Sequence, residues 1–461
     1  MATVTDIPEV GREVPGPQGS FLLGNIREFR ADPLTAMHDV WREYGDLARV
    51  EMLGRVFYIV SGPQFVYDIF VTGKRTFIKT YARPNNNGLE LLLGNGLVTN
   101  FDHDHWLPQR RMMQPMFHSK RIMTMGDKMV AAGQAMLNRW AKLANGTTID
   151  LHKEMMTITL DIINRTMFST TDAINYADKV GSAITTTAEF VFQRNRAFIR
   201  PPLSWPTPKN KAFNNALDEI DNIIEMLIEQ RRQSSATYAD LLDMLLEARD
   251  EETGAGMSEQ QLRDEVKTIY AAGHETTSNA LSWVWYLLAQ HPDVLAQLQA
   301  EVDAVLNGRI PTLADLPNLP YTTKVFKEGL RLYPAVPAIP RYVPEGAILQ
   351  GYKITPKANV VFNTYNLHRH PEHWQKPEAF WPEHFTPERE EQRDQYAYRP
   401  FGAGPRICIG RNFAMMEGQL LLAMIAQNYT FNLIPDHPVK PEIAVTLRPK
   451  NGMMVKIEKR P

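Results

Sequence analysis

The only cysteine of the chain lies in a glycine-rich segment. Cys408 is part of Phe401-Gly402-Ala403-Gly404-Pro405-Arg406-Ile407-Cys408-Ile409-Gly410, just before a helical pattern over 412–427. Inward-turned amide groups of such a loop and the positive end of the following helix both favour a thiolate. A lone cysteine is more often a small buried apolar side chain. A single thiolate cannot hold a structural zinc or an iron–sulfur cluster, but it can be one axial ligand of haem iron.

A second chemically unusual segment lies inside a long predicted helix. Ser258 and Gln261 form a capping-box pattern, and the apolar periodicity then runs to Gln290. The interior run 271–278, Ala-Ala-Gly-His-Glu-Thr-Thr-Ser, weakens helix propensity, and its Thr hydroxyls can bond back to the preceding turn. Two interpretations stay open at this point: a functional opening of the helix, or a stripe of small residues where another helix packs closely.

The cysteine segment resembles the haem-binding loop of the cytochrome P450 monooxygenases, and every fixed position of that pattern is present. Other segments that resemble the family's motifs are Glu328-Gly329-Leu330-Arg331, Ala272-Gly273-His274-Glu275-Thr276-Thr277, Trp106-x-x-x-Arg110 and Pro382-Glu383-His384-Phe385. The resemblance covers essentially the whole chain. It implies a mainly α fold with small β-sheets.

The resemblance also implies the domain organisation. We expect a single domain over 1–461, with strand-rich parts near 40–75 and 335–365 and a helical core over 106–332. The haem-thiolate loop is 401–410. Haem b, iron protoporphyrin IX, is expected between the long central helix and this loop.

Roles around the cofactor follow from the same resemblance. Cys408 is the expected axial ligand of the haem iron, with Phe401 packed beside its sulfur. The expected partners of the two haem propionates are Trp106, Arg110, Arg341 and Arg406, with Lys79 as a further candidate. Arginine suits this role because it can bind both oxygens of a carboxylate.

Three further residues are expected to form a buried polar network: Glu328, Arg331 and His384. Glu328 and Arg331 are three residues apart and therefore share a helix face. The family more often has arginine where this chain has His384. Because histidine is charged only in part near neutral pH, the charge of the network stays open.

On the opposite side of the cofactor, the resemblance assigns Thr276 and Glu275 to catalysis. Thr276 is expected to hold dioxygen in a hydrogen-bonded network, and Glu275 to supply protons while other water is excluded. Five residues are expected to contact the substrate: Ala272, Val336, Ala338, Val98 and Leu447. All five are apolar, which favours an apolar small-molecule substrate.

Composition limits the remaining partners. The formal net charge is −2 and no long basic run is present, which argues against nucleic acid. Residues 1–25 contain no apolar stretch of signal-peptide or anchor length, so we expect a cytoplasmic protein without a membrane anchor. Two histidine-rich runs, 102–105 and 368–373, lack a second ligand group at structural-zinc spacing and are interpreted as non-metal.

Electrons for dioxygen activation must come from elsewhere. The chain shows no Gly-x-Gly-x-x-Gly motif, no flavin-type domain and no cluster of cysteines. We therefore expect a ferredoxin or flavodoxin with an NAD(P)H-dependent reductase. Whether the chain was cut from a longer fusion stays open.

The leading hypothesis is a monooxygenase that hydroxylates or epoxidises an apolar substrate, with long-chain fatty acids first and terpenoids next. The alternatives are a haem-thiolate enzyme that uses peroxide or isomerises a peroxidised substrate, and a non-catalytic haem-binding sensor. The adjacent Glu275 and Thr276 favour the monooxygenase, because the alternatives have less need of a proton relay.

Overall fold

Helices dominate the computed structural model, which describes residues 11–79, 88–169, 173–197 and 200–460. Its α-helices are α1 (Ile26–Ala31), α2 (Pro33–Tyr44), α3 (Gln64–Tyr67), α4 (Glu90–Leu93), α5 (His103–Met113), α6 (Ser119–Met123), α7 (Gly126–Trp140), α8 (Leu151–Met167), α9 (Ala173–Arg196), α10 (Pro208–Gln233), α11 (Leu241–Glu247), α12 (Glu259–Gln290), α13 (Pro292–Leu306), α14 (Pro320–Leu332), α15 (Thr364–Leu367), α16 (Pro387–Gln392) and α17 (Arg411–Asn428). A π-helical turn spans Asp68–Thr72, and 3-10 turns span Gln114–Phe117, Leu313–Asn318, Pro382–Phe385 and Gly404–Arg406. No helix within the described ranges is both long and apolar enough to cross a membrane.

The strands form small sheets. They are β1 (Leu47–Met52), β2 (Arg55–Val60), β3 (Thr147–Asp150), β4 (Ala338–Val343), β5 (Ala347–Leu349), β6 (Tyr352–Ile354), β7 (Ala358–Asn363), β8 (Tyr429–Leu433), β9 (Pro441–Ile443), β10 (Leu447–Pro449) and β11 (Met454–Lys459). The sheet orders are β1-β2-β7-β4, β3-β11-β8, β9-β10 and β5-β6. The β2–β7 pair is parallel and the other strand pairs are antiparallel.

Two compact units divide the chain. The first comprises residues 1–84 and 330–408, and the second comprises 85–329 and 409–461. The strand-rich parts expected near 40–75 and 335–365 hold β1, β2 and β4 to β7, all in the first unit. The single-domain organisation stays a prediction.

The first unit is built on its four-stranded sheet. Tyr58 and Val60 of β2 and Phe362 of β7 are buried in one apolar core with Phe70. The rings of Phe70 and Phe362 meet edge to face with centroids 5.3 Å apart, a favoured aromatic geometry. Strand β4 pairs with β7, and its other edge receives Ile78 through two backbone hydrogen bonds with Tyr342, of 2.8 and 2.9 Å.

Helix α12 is the central element of the second unit, because most of its length is buried on every side. Helix α8 packs closely against it: a Cβ added to Gly273 would lie 2.5 Å from the Ile163 side chain. The Thr159 hydroxyl of α8 also donates to the His274 carbonyl, at 3.1 Å. Residues 271–278 are α-helical throughout, so the structure favours close packing over a local opening.

The start of α12 differs in part from the predicted capping box. The Ser258 hydroxyl accepts from the Gln261 amide at 3.1 Å, as expected. The reciprocal bond, from the Ser258 amide to the Gln261 side chain, is not formed among the described residues. The Gln261 amide nitrogen donates to the Asn95 carbonyl and to Glu265, at 3.2 and 2.7 Å, so this side chain is bonded into the tertiary structure.

The same end of α12 holds the segment 94–99 through two acidic side chains. Asp264 accepts from the Asn95 amide at 2.7 Å, and Glu265 accepts from the Leu97 amide at 3.0 Å. Glu265 is fully buried. Burial disfavours its charged form and raises its pKa to about 7, although the hydrogen bonds from Leu97 and Gln261 act in the opposite direction.

This burial makes stability depend on pH. Because the folded-state pKa of Glu265 is raised from 4.5 to about 7, the folded protein binds the proton more tightly than the unfolded chain. The contribution is fully present below pH 4.5 and decreases by about 3 kcal/mol as the pH rises to 7. We expect Glu265→Gln to flatten this part of the stability profile, measured on the holoprotein by denaturant unfolding at a series of pH values. Glu259→Gln, an exposed change in the same helix, should leave the decrease in place, and a Glu265→Gln profile parallel to wild type would contradict the prediction.

Candidate active site

The cysteine loop is a tight turn fixed by its own backbone. The Cys408 amide donates to the Phe401 carbonyl at 2.9 Å, which closes the loop. Within it, Gly404 begins a 3-10 turn with a φ of +69°. The Cys408 side chain is exposed, and Phe401 is half-buried. The sulfur is therefore presented on the surface of the first unit and not buried as a small core residue.

Three cationic side chains interact in the same unit. Burial, followed by the positive charges of Arg406 and Arg341, lowers the pKa of Lys79 well below its ordinary value. Burial and Arg406 lower the pKa of Arg341 to about 10, and burial lowers that of Arg406 to about 10. Ile78 bridges to Tyr342 of β4, the strand that also carries Arg341. Lys79 is the next residue after Ile78 and therefore lies beside that strand. Such a cluster is stabilised by an anionic group, which offsets both the mutual repulsion and the lost hydration.

In the second unit, an acid and an alcohol are adjacent on α12. Ala272, Gly273, Glu275 and Thr276 are half-buried, whereas most of the helix is buried. The Thr276 hydroxyl donates to the Ala272 carbonyl at 2.8 Å, the back-bonding that the sequence predicts. The Glu275 carboxylate accepts from the Thr446 hydroxyl at 2.6 Å. A carboxyl group and a hydroxyl thus share one accessible stripe of the helix.

Comparison with known proteins decides the family. The family model for cytochrome P450 matches residues 14–457. The chain belongs to the cytochrome P450 family. The "crystal structure of cytochrome P450DA heme domain" superposes with a TM-score of 0.88 at 27% identity, covering 98% of this chain and 99% of that one. The prediction of a mainly α P450 fold is confirmed.

Two P450 relatives come from Streptomyces. A cyclooctat-9-en-7-ol 5-monooxygenase of Streptomyces melanosporofaciens is 32% identical over 414 residues, covering 90% of this chain and 88% of the relative. The pentalenene oxygenase of Streptomyces avermitilis is 31% identical over 430 residues, covering 92% and 93%. The family and these relatives support a haem-containing P450 monooxygenase, as predicted.

The residues of the first unit fit a haem group. Haem carries two anionic propionates, and such carboxylates would offset the positive charges of Arg341, which is buried, and of Lys79 and Arg406, which are half-buried. The guanidinium of Arg341 is also held in place by the Phe70 ring, 4.6 Å away, and by the Pro340 carbonyl at 2.8 Å. The exposed Cys408 would supply the thiolate that a P450 haem requires.

The other two predicted propionate partners lie on α5 in the second unit. Trp106 is buried, and Arg110 is half-buried one turn later. The Asp102 carboxylate caps this helix by accepting from the amides of Asp104 and His105, at 3.0 and 3.4 Å. The capped helix therefore fixes the spacing of the two side chains.

The residues of the predicted polar network are all buried. Arg331 donates to the carbonyls of His368, Pro377 and Ala379, at 2.7, 2.6 and 2.8 Å. The His384 ring bonds to the Gln375 carbonyl. Arg331 and His384 both pack on Trp374, 5.0 and 5.4 Å from its ring. Backbone carbonyls thus satisfy much of the Arg331 guanidinium, which ties several segments of the first unit together.

The predicted substrate-contact residues have different environments. Leu447 is fully buried at the start of β10, whereas Val98 is 39% exposed. Ala272 is half-buried on α12. In the first unit, Val336 and Ala338 are half-buried, with Ala338 as the first residue of β4.

Two polar residues beside the predicted acid escaped the sequence analysis. Thr446, next to Leu447 in the turn before β10, donates to Glu275, and Asn279 of α12 donates to Thr446 at 2.9 Å. Nothing in the sequence marks a threonine 171 residues from Glu275 as its partner. Asn279 is one helical turn after Glu275, and this spacing is the only available signal.

A buried acid on α17 also escaped. Glu417 is fully buried, and burial raises its pKa well above the ordinary value, while a hydrogen bond from Thr277 opposes the shift. Burial therefore favours the neutral form of Glu417. A glutamate within an otherwise apolar run of α17 was a signal that sequence reasoning could have used.

One histidine-rich run contains a group of possible metal ligands. The ligand atoms of His370, Glu372 and His373 all lie within 4.8 Å of one another. Both ring nitrogens of His370 already have partners, however: Asp46 at 3.0 Å and the Glu372 amide at 3.3 Å. Ligation through His370 would therefore break an existing contact, and the non-metal interpretation stays a prediction.

Two glycines of the cysteine loop offer a matched test of its geometry. Both have positive φ, +77° at Gly402 and +69° at Gly404. A Cβ at Gly404 would lie 2.1 Å from the Phe70 carbonyl oxygen, whereas at Gly402 the nearest atom is 3.8 Å away. We expect Gly402→Ala to cost only the backbone strain of about 1–2 kcal/mol and to retain haem.

Gly404→Ala must displace the backbone as well, so we expect it to lose most of its haem. The measurement is the ratio of haem to protein absorbance after gel filtration. Equal haem retention in the two variants would contradict the assigned role of the loop geometry.

Proposed function

We propose that this P450 inserts one oxygen atom of dioxygen into an apolar terpenoid, using electrons from a separate redox partner. The observation that carries the proposal is the adjacent acid and alcohol on α12. Glu275 is held by Thr446 at 2.6 Å, and Thr276 bonds to the Ala272 carbonyl at 2.8 Å. A proton relay of this kind is what reductive oxygen activation needs and what a haem sensor does not need.

We assign the cofactor residues as follows. Cys408 would hold the haem iron through its thiolate, with Phe401 shielding the sulfur. Haem with a thiolate ligand supplies reductive dioxygen activation, because electron donation from sulfur favours O–O cleavage. Arg341, Arg406 and Lys79 neutralise the propionates, together with Trp106 and Arg110 from α5.

On α12, Thr276 and Glu275 have different roles in proton delivery. The Thr276 hydroxyl donates its hydrogen bond to the Ala272 carbonyl, so the hydroxyl oxygen can still accept a hydrogen bond. Glu275 is half-buried and exchanges protons with water on its accessible side. Together they deliver protons one at a time where bulk water is excluded, which limits wasteful release of peroxide.

The substrate class is supported by residue chemistry and by relatives. The proposed contact residues Ala272, Val98, Leu447, Val336 and Ala338 are all apolar. The two Streptomyces relatives are named for cyclooctat-9-en-7-ol and pentalenene. Because of these names, we favour terpenoids over long-chain fatty acids as the substrate class, although fatty acids are the first expectation from the sequence.

Electron supply is assigned to a ferredoxin or flavodoxin with its NAD(P)H-dependent reductase. The sequence analysis suggests no flavin or iron–sulfur site within the chain. A basic surface patch can steer an acidic redox partner towards a protein. Among the basic side chains of α5, Arg111 already pairs with Asp250 at 3.2 Å and with Glu252. That pairing leaves Arg111 a weaker candidate for steering an acidic partner.

Substrate binding and turnover test the function directly. We expect cyclic terpenes to shift the Soret band of the ferric holoenzyme more strongly than long-chain fatty acids do. Mass spectrometry should then find products with one added oxygen when NAD(P)H, reductase and ferredoxin or flavodoxin are present. Cys408→Ser is the control, and it should lose the thiolate-type Soret band of the ferrous CO complex. Turnover with peroxide but with no tested reductase would favour the peroxide-using alternative.

Replacement of the alcohol tests the relay. We expect Thr276→Ala to keep substrate binding but to divert several-fold more of the NAD(P)H electrons into peroxide, because protons no longer arrive in order. The measurement is product and peroxide formed per NAD(P)H consumed. Thr276→Ser retains the hydroxyl and should stay near wild type. Unchanged coupling in Thr276→Ala would remove the assigned role of Thr276.

A further inference from the structure

The β9–β10 hairpin is attached to α12 along one stripe of the helix. Thr446 bonds to Glu275 and to Asn279, and the Leu447 carbonyl accepts from the Trp283 indole at 2.8 Å. Residues 275, 279 and 283 are each four apart, so they lie one above another on the same face. Arg448, the next residue of the hairpin, pairs with Glu189 of α9 at 3.0 Å. The hairpin is thus fixed in register with the helix.

The hydrogen-bond directions at Thr446 follow from its neighbours. A threonine hydroxyl has one proton to donate. The Asn279 amide nitrogen donates to the Thr446 oxygen at 2.9 Å, so the Thr446 proton is directed to Glu275, 2.6 Å away. That length is typical of a hydroxyl bonded to an ionised carboxylate. Asn279 therefore orients Thr446, and Thr446 orients Glu275.

This chain of bonds cannot conduct protons. It ends in the carboxamide of Asn279, which does not release a proton in the physiological pH range. Thr446 and Asn279 are also almost fully buried, 3% and 1% exposed, whereas Glu275 is half-buried. Proton exchange must therefore occur on the other side of the Glu275 carboxyl group. The chain restricts where that group can point, and a glutamate side chain is otherwise free in three torsions.

We propose that Thr446 is the positioning residue of the proton-delivering carboxylate. One oxygen of Glu275 is held on the Thr446 hydroxyl, oriented by Asn279, so that the other oxygen faces the oxygen-activating side of α12 with Thr276. The inference rests on the proposed role of Glu275 as proton source. It adds a specificity link, since the residue that holds the acid is next to Leu447, a proposed substrate contact.

Two substitutions separate the hydroxyl from the shape of Thr446. Thr446→Val keeps the branched side chain and removes the hydroxyl, and Thr446→Ser keeps the hydroxyl. We expect Thr446→Val to raise peroxide release several-fold per NAD(P)H while the substrate dissociation constant, read from the Soret shift, stays within about twofold. Thr446→Ser should restore coupling. Ser278→Ala, which removes a nearby buried hydroxyl that donates to the Glu275 backbone carbonyl, is the matched control and should couple like wild type.

A double-mutant cycle with Glu275→Gln tests whether both residues act through one carboxylate. Glu275→Gln should uncouple the holoenzyme by itself, and adding Thr446→Val should then change the peroxide fraction little further. A readout apart from turnover is the crystal structure of Thr446→Val, in which the Glu275 carboxylate should leave the position 2.6 Å from residue 446 while α12 is unchanged.

The outcomes distinguish the positioning role of Thr446 from the proton-source role of Glu275. Coupling at the wild-type level in Thr446→Val, with Glu275→Gln uncoupled, overturns the positioning role and leaves the proposed function intact. Additive effects in the double mutant overturn it as well, since the residues then act independently. Full coupling in Glu275→Gln removes Glu275 as the proton source, and the positioning role falls with that part of the proposed function.

Discussion

The burial of a long helix that carries polar and acidic side chains is the constraint on which the second unit depends. Helix α12 is buried over most of its length, yet it bears Asp264, Glu265, Glu275 and Asn279. An unpaired polar group in such a place costs about 1–3 kcal/mol, more if it is charged. Backbone amides of the segment 94–99 donate to the first two carboxyl groups, and Thr446 beside the β9–β10 hairpin bonds to the Glu275 carboxylate and to the Asn279 amide nitrogen. The hydrogen bonds to these side chains therefore fix the positions of the segment 94–99 and of the β9–β10 hairpin against α12.

In the first unit the constraint is an excess of positive charge, carried by the neighbouring side chains of Lys79, Arg341 and Arg406. Burial and the charge of Arg406 lower the pKa of both Lys79 and Arg341. If the haem propionates bind these residues as proposed, they would offset this positive charge and stabilise the unit, since a ligand that binds only the folded state stabilises it. Haem loading and folding would then be thermodynamically linked.

Local patterns made much of the fold and part of the site predictable. The bounds of α12 follow from its cap and its apolar period, and the β1–β2 hairpin follows from alternation interrupted at Gly54. The back-bonding of Thr276 to Ala272 is likewise a property of four consecutive residues. The cysteine loop was recognisable because its glycines permit a backbone that other residues resist.

Contacts between distant parts of the sequence could not be predicted in this way. The Gln261 side chain donates to the carbonyl of Asn95, a residue 166 positions away that the local cap pattern does not include. Thr446 is an ordinary threonine in a turn until the fold brings it to Glu275. Ile78, the residue before Lys79, bridges to Tyr342 of β4, and this contact joins two segments that are far apart in the chain. Each of these depends on tertiary placement, which composition and periodicity do not encode.

The attachment of the hairpin at every fourth residue of α12 has an evolutionary consequence. Thr446 and Leu447 are neighbours on a rigid turn, so one holds the acid while the other is a proposed wall of the pocket. Under the proposed roles of Thr446 and Leu447, a substitution that reshapes this turn to admit a bulkier molecule would also displace the carboxylate. Substrate range and the efficient use of reducing equivalents would then be linked through one turn.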